Sequence, residues 1–181
     1  MAVRTPRSSW VEQGLRALAA GGPDAVRVES LAKSLGVTKG GFYWHFADRA
    51  ALLDEMLDTW ERRSLDEVIK RVEHSGGDAR SQLRRLFDLA TSARDLAGID
   101  LAVRDWARRD DTVTARLQRV DNGRMQYMRS LFGAFCDDGD EVEARCTIAM
   151  TLFIGSSFLA VDHGPRSRTD VLKRATMGLL T

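Results

Sequence analysis

The clearest pattern in the chain is a pair of short apolar stripes within residues 28–46, VESLAKSLGVTKGGFYWHF. Leu31, Ala32 and Leu35 fall at i, i+1 and i+4, the inner face of one short helix. Gly36 follows directly, the residue that most readily takes the left-handed conformation ending a helix. Val37 then plugs the core, Thr38 is placed to cap a second helix, and Phe42 and Phe46 repeat at i, i+4 to face inward. Lys39, Gly40, Gly41, Tyr43, Trp44 and His45 remain to divide between the outer face and the flank. Small Ala32 permits the close crossing that a helix-turn-helix requires.

The same periodicity runs on both sides of this stretch. Ser8 or Ser9 can cap a first helix with Val11, Leu15 and Leu18 on one face, ended by Gly21-Gly22-Pro23. From Asp48, a cap, a long helix carries Leu52, Leu53, Met56, Leu57 and Trp60 on one face, with a pattern that can continue to Val72. His74-Ser75-Gly76-Gly77-Asp78 breaks it. Leu83, Leu86, Phe87 and Ala90 form the next stripe, and Ile99, Val103 and Trp106 another. Asp110 or Asp111 caps a longer helix bearing Val113, Leu117, Val120, Tyr127, Met128, Leu131 and Phe135, Gly139-Asp140 opens the next, and a final segment covers 169–180. No strand alternation, internal repeat or low-complexity tract interrupts the helical spacing, so the chain is expected to be all-α.

Residues 141–161 differ from the other helices in being apolar on two flanks. Cys146, Ala149, Met150, Phe153, Ser157 and Ala160 line one, and Ile148, Leu152, Gly155 and Leu159 the other. A helix apolar nearly all round is covered by neighbours on both sides. In a chain of 181 residues the second neighbour is either its own chain or, as we expect, another subunit. Small residues permit a close crossing, which makes Ala149, Phe153, Ser156, Ser157 and Ala160 the expected dimer interface.

Composition narrows the class. Hydrophobic residues make up 44% of the chain and there are only three prolines, which suits a soluble helical protein and not a disordered one. Net charge is +1, but it is unevenly spread. Residues 1–49 hold Arg4, Arg7, Arg16, Arg27, Lys33, Lys39 and Arg49 against Glu12, Asp24, Glu29 and Asp48, a local +3 that leaves −2 for the rest. An excess of cations on the two-helix segment is what a phosphate-binding head needs. Arg4 and Arg7 beside Pro6 read as a basic arm toward DNA or as an untethered tail. Cys136 and Cys146 are neither a Cys-x-x-Cys pair nor part of a His/Cys cluster, so no metal site or disulfide framework is indicated, and they read as buried small hydrophobes in a reducing cytoplasm. The N-terminus has no apolar signal region, and the longest apolar stretch, 148–161, is shorter than the roughly 20 residues of a membrane span.

The run LAKSLGVTKGGFYWHFADRAALL resembles the DNA-binding region of the TetR (tetracycline-repressor-like) family of bacterial transcription regulators. The resemblance covers roughly residues 8 to 60 and rests on Lys39, Tyr43, His45 and Phe46 with the following Leu52-Leu53 helix. It implies a three-helix head, residues 1–49, and a C-terminal helical ligand-binding and dimerisation domain, residues 50–181. It also implies that Tyr43 and His45 contact phosphates, that Lys39 reads a base edge such as guanine O6/N7, and that Thr38 and Arg49 clamp the backbone at the two ends. Arg27 stands where the family more often has a capping Ser or Thr; it gives up that cap and can reach a phosphate instead. Glu29 suits the helix dipole but is a poor phosphate neighbour. Gly40 and Gly41 weaken the second helix by roughly 1 kcal/mol each and let the backbone approach DNA. Trp44 packs on the supporting helix or abuts the sugar-phosphate chain.

By the same resemblance, the last two helices pair two subunits and a small molecule binds among the C-terminal helices. Trp60, Phe87, Trp106, Tyr127, Met128 and Phe132 are the candidate lining, each also at ordinary core spacing. With histidines only at 45, 74 and 163 and no phosphate loop or nucleophile elbow, no catalytic set is visible. The expectation is a non-enzymatic, cytoplasmic homodimer that binds a palindromic operator and is released by an effector. No cofactor, metal or membrane enters this reading. A carrier or adaptor without operator binding is the alternative, and repressor and activator differ only in the sign of the coupling.

Overall fold

The computed structural model describes residues 5–180 apart from the side chain of Arg94; Arg4 of the expected basic arm lies outside them. Ten α-helices and no strand occur among the described residues: α1 Arg7–Gly21, α2 Val28–Ser34, α3 Gly40–Tyr43, α4 Arg49–Ser64, α5 Asp66–His74, α6 Ala79–Ser92, α7 Arg94–Ala107, α8 Asp111–Phe132, α9 Gly139–Ser156 and α10 Arg168–Met177. Single 3-10 turns occupy Pro23–Ala25 and Gly178–Leu180.

The chain forms two compact units. The first runs through Arg63 and includes Gly98–Leu117; the second holds Ser64–Ala97 and the chain from Gln118 onward. This division differs from the expected boundary after residue 49, because α4 and the segments of α7 and α8 around residue 107 pack with the head. Arg116 shows why: its guanidinium, largely buried, meets Asp58 at 2.5 Å, Glu61 at 2.7 Å and Asp54 at 3.6 Å, three carboxylates along α4.

Several predicted boundaries hold and several move. Gly22 and Gly36 take φ of 71° and 67°, ending α1 and the α2 turn as glycine permits. Asp48, Asp78 and Asp138 accept hydrogen bonds from first-turn amides of α4, α6 and α9. Serine does not cap α1, which starts at Arg7 after Pro6. The long helix after Asp48 does not reach Val72 unbroken: Leu65, at φ −126° and ψ −72°, separates α4 from α5. Leu65 places its side chain where a Cβ on Gly123 of α8 would stand 2.5 Å from Leu65 Cδ2, so the break lets a leucine press on a bare backbone.

The second unit holds an apolar cluster built from Leu83 and Phe87 of α6, Met128, Leu131 and Phe132 of α8, Val142, Cys146 and Ala149 of α9, and Leu180. Burial pushes the Cys146 thiol up to about 11, so it is an inert core residue. α9 stops at Ser156, short of the expected 161.

Candidate nucleic-acid interface

The head is assembled on an aromatic core. Phe42 and Phe46 are fully buried, their rings stacked 5.2 Å apart, and Trp10 of α1 meets Phe42 edge-on at 5.4 Å. Val11, Leu15 and Leu18 of α1 close the same core, as their spacing predicts; Trp10, directly before Val11 and one turn before Gly14, completes it. Gly14 lets α1 approach α4 closely, since a Cβ there would lie 2.5 Å from Met56 Sδ. α2 adds Val28, Leu31 and Ala32, while Leu35 and Val37 are half-buried. The bond from Val37 N to Ala32 O (3.0 Å) closes the turn beyond α2.

With Phe42 facing inward, the opposite face of α3 is open. Tyr43 is 55% and Trp44 75% exposed, and the ring that meets Phe42 from α1 is that of Trp10. α3 is only four residues long, in keeping with two glycines at its start. Thr38 does not cap it with its side chain. Lys39 takes the N-cap position in an α-helical conformation, and the amides of Gly41 and Phe42 bond back to the carbonyls of Thr38 and Lys39 at 3.0 and 3.1 Å. A tight i to i+3 start leaves the Thr38 hydroxyl no first-turn amide to accept. A side chain on Gly40 would meet only Thr38 Oγ1 at 3.7 Å, and one on Gly41 only Trp10 Cζ2 at 3.8 Å.

The other candidate residues divide. Arg27 is exposed and gives α2 no side-chain cap; its Nε donates to the Asp24 carbonyl at 3.1 Å. Lys39 is exposed and its ammonium donates to the carboxylate of Glu29 on α2. The ion pair holds Glu29 below the usual carboxylate range and Lys39 above the usual amine range. His45 is half-buried, and its Nε2 donates to the Thr5 carbonyl at 2.9 Å, which takes that nitrogen away from any phosphate. Arg7 closes the clasp from the other side: it donates to the His45 carbonyl, meets Glu55 at 2.7 Å and lies 4.2 Å over the Phe46 ring. Arg49 is turned into the head, with Nε donating to Val26 O at 2.7 Å and Nη2 to Pro23 O. It ties α4 to the approach of α2 and is not an outward clamp.

The outward set is therefore Arg27, Thr38, Lys39, Gly40, Tyr43 and Trp44, two helix edges bearing cations and aromatic rings over a rigid core. What the sequence reading missed is the pairing of Glu29 with Lys39. Its signal was present in the opposite charge of Lys39, but the ten-residue separation crosses a turn and has no helical periodicity.

The ligand candidates also separate. Phe87, Met128 and Phe132 belong to the second unit's core cluster with Tyr127 packed against it, whereas Trp60, fully buried, and Trp106 lie in the first unit. The Tyr127 hydroxyl is buried without a hydrogen-bond partner among the described residues. The second unit also holds an open cleft of about 990 Å3 between α5 and α6, lined by Lys70, Arg71, Glu73, His74, Arg85 and Asp88 among others. Among the described residues no group of histidines, cysteines and carboxylates is placed to hold a metal, and no helix is long and apolar enough to cross a membrane.

The expected dimer residues are not all at the surface. Ala149 is buried in its own chain and Phe153 and Ser156 are half-buried, while Ser157 and Ala160 are exposed. The large open apolar side chains are instead Ile148, Phe158, Leu159, Val161 and Met177.

Residues 11–56 match the model of the family described as bacterial regulatory proteins, tetR family. The class A tetracycline repressor protein from transposon 1721 of Escherichia coli is 29% identical over 133 residues, 71% of this chain and 55% of that protein, so the chain spans about half the length of this relative. A Saccharomonospora viridis protein solved in complex with choline shares the fold at a TM-score of 0.80 and 19% identity, over 96% of this chain and 94% of that one. The Bacillus subtilis transcriptional regulator FadR, solved in complex with stearoyl-CoA, matches at 0.69 and 16% identity over 97% of each chain.

Proposed function

We propose that the chain, whose residues 11–56 match the tetR-family model, is a member of that family: a cytoplasmic, DNA-binding transcriptional repressor that works as a homodimer and leaves its operator when a small molecule binds its C-terminal helices. The observation that carries this reading is the outer face of α3: Lys39, Tyr43 and Trp44 stand open directly above the buried Phe42, Phe46 and Trp10. A rigid core under exposed donors is the arrangement that fixes a reader against a groove. Tyr43 contacts phosphate, Arg27 and Thr38 flank it, the bare backbone at Gly40 admits a close approach, and Lys39 meets a base edge.

The open apolar side chains from Ile148 to Met177 support pairing of two copies, and two heads spaced about one helical turn apart read a palindrome. The choline and stearoyl-CoA held by two proteins of the same fold support an effector in this chain, as does the buried Tyr127 hydroxyl that a ligand acceptor would satisfy. Selection from a random duplex pool, followed by mobility-shift titration, tests the reading. A palindromic site is expected, with affinity falling at a log–log salt slope of about −0.9 per phosphate neutralised. Ligand binding without selection of any duplex would make the protein a carrier.

A further inference from the structure

We propose that Glu29 and Lys39 act as one reader, a paired acceptor and donor that recognises a single G·C base pair; this rests on the head binding DNA as set out above. Glu29 lies in the first turn of α2 and Lys39 at the entry to α3, and the Lys39 ammonium donates to the Glu29 carboxylate across the turn. Both side chains remain about half or more open, 49% for Lys39 and 65% for Glu29.

The pair has spare valences of the right kind. An ammonium has three N–H groups; one goes to Glu29 and two remain. A carboxylate has two oxygens; one takes Lys39 and the other still accepts. In the major groove guanine offers two acceptors, N7 and O6, and its cytosine partner offers the N4 donor. Lys39 on guanine and Glu29 on cytosine satisfy all of these groups at once. At an A·T pair the adenine N6 donor stands in place of guanine O6 and the thymine O4 acceptor in place of cytosine N4, so a donor meets Lys39 and an acceptor meets Glu29, and the match fails.

The same geometry disfavours the wrong kind of contact. A lone lysine is drawn to any phosphate, whereas a lysine already paired with a carboxylate brings a like charge toward every phosphate it nears. Glu29 thereby gives up general affinity and gains selectivity, the exchange by which a repulsive group sharpens recognition. The poor phosphate neighbour of α2 becomes a base reader.

The test uses the full chain. Duplexes selected by the unaltered protein are compared with versions changed at each base pair of a half-site, for the unaltered protein, Glu29→Gln, Glu29→Asp, Lys39→Ala and the Glu29→Gln/Lys39→Ala double variant. The unaltered protein is expected to prefer G·C at one position by about tenfold or more. Glu29→Gln and Lys39→Ala should each lose that preference at the same position, and the double variant should lose no more than either. Glu29→Asp, which keeps the charge but shortens the reach, should also weaken the preference.

If Glu29→Gln tightens binding to every duplex alike, or the two single variants relax different positions, the pair is not a reader. If the unaltered protein selects no sequence at all, it is the regulator reading that fails.

Discussion

The outer face of α3 and the C-terminal end of α9 both leave large side chains exposed, but they offer a partner different things. Around α3 the open groups are Tyr43 and Trp44 beside Lys39, each carrying a hydrogen-bond donor on an apolar or flexible body. Around the end of α9 and beyond they are Ile148, Phe158, Leu159 and Val161, which have only surface to lose from water. The first face can stay hydrated and bind a charged, wet polymer; the second gains only when an equally dry surface covers it. What lies beneath also differs. Phe42, Phe46 and Trp10 fix the first face from below, while α9 ends at Ser156 and the chain continues to Val161 without helix.

Removing the support under α3 should have the largest effect. Phe42→Ala strips a fully buried ring from contact with both Phe46 and Trp10, and should cost about 3–5 kcal/mol, seen as a lower thermal midpoint together with loss of DNA binding. Phe158→Asp, at a side chain 68% exposed, strikes the other surface. Sedimentation should show the dimer weakened by about 2 kcal/mol or more, with the helical signal of the subunit unchanged. Unaltered self-association would remove this end of α9 as the pairing surface.

Tyr43→Ala should leave folding intact and weaken binding to all duplexes alike by roughly tenfold, the loss of one hydrogen bond to a charged group. A change confined to one base position would reassign it from phosphate to base.

The smallest effect is that of acid. Glu12 and Glu55 are held below the usual carboxylate range by hydrogen bonds from Arg63 and Arg7. Groups whose folded pKa is depressed contribute stability above their unfolded pKa and lose it as pH falls through the folded value. A thermal midpoint flat from pH 8 to 5 and declining below about 4.5 is expected, slightly, since both groups are largely solvated.

What was legible in the sequence was local. Phe42 and Phe46 share one helical turn, Gly36 follows the last turn of α2, and Asp48, Asp78 and Asp138 sit directly before the amides they cap, so spacing alone places them. What was not legible depends on residues far apart. Arg49 has the type and position of a phosphate clamp, yet the carbonyls of Val26 and Pro23 lie within its reach, and no periodicity announces that. Thr38 has the chemistry of a cap but precedes a helix too short and too tightly started to use one. Leu65 interrupts an unbroken apolar stripe because Gly123, 58 positions later, leaves a hollow for it. α9 was read as continuous to 161 from hydrophobicity, which measures what must be covered and not what must be helical.

Gly40 and Gly41 have a consequence for how this protein can change. Neither has a positive φ, and a methyl group at either would meet nothing closer than 3.7 Å. Both are thus vacant addresses: a methyl group fits at either without disturbing the aromatic packing beneath, and alanine would even favour the helix by about 1 kcal/mol. A lineage, or an engineer, could redirect such a protein to another stretch of chromosome by furnishing these two positions alone.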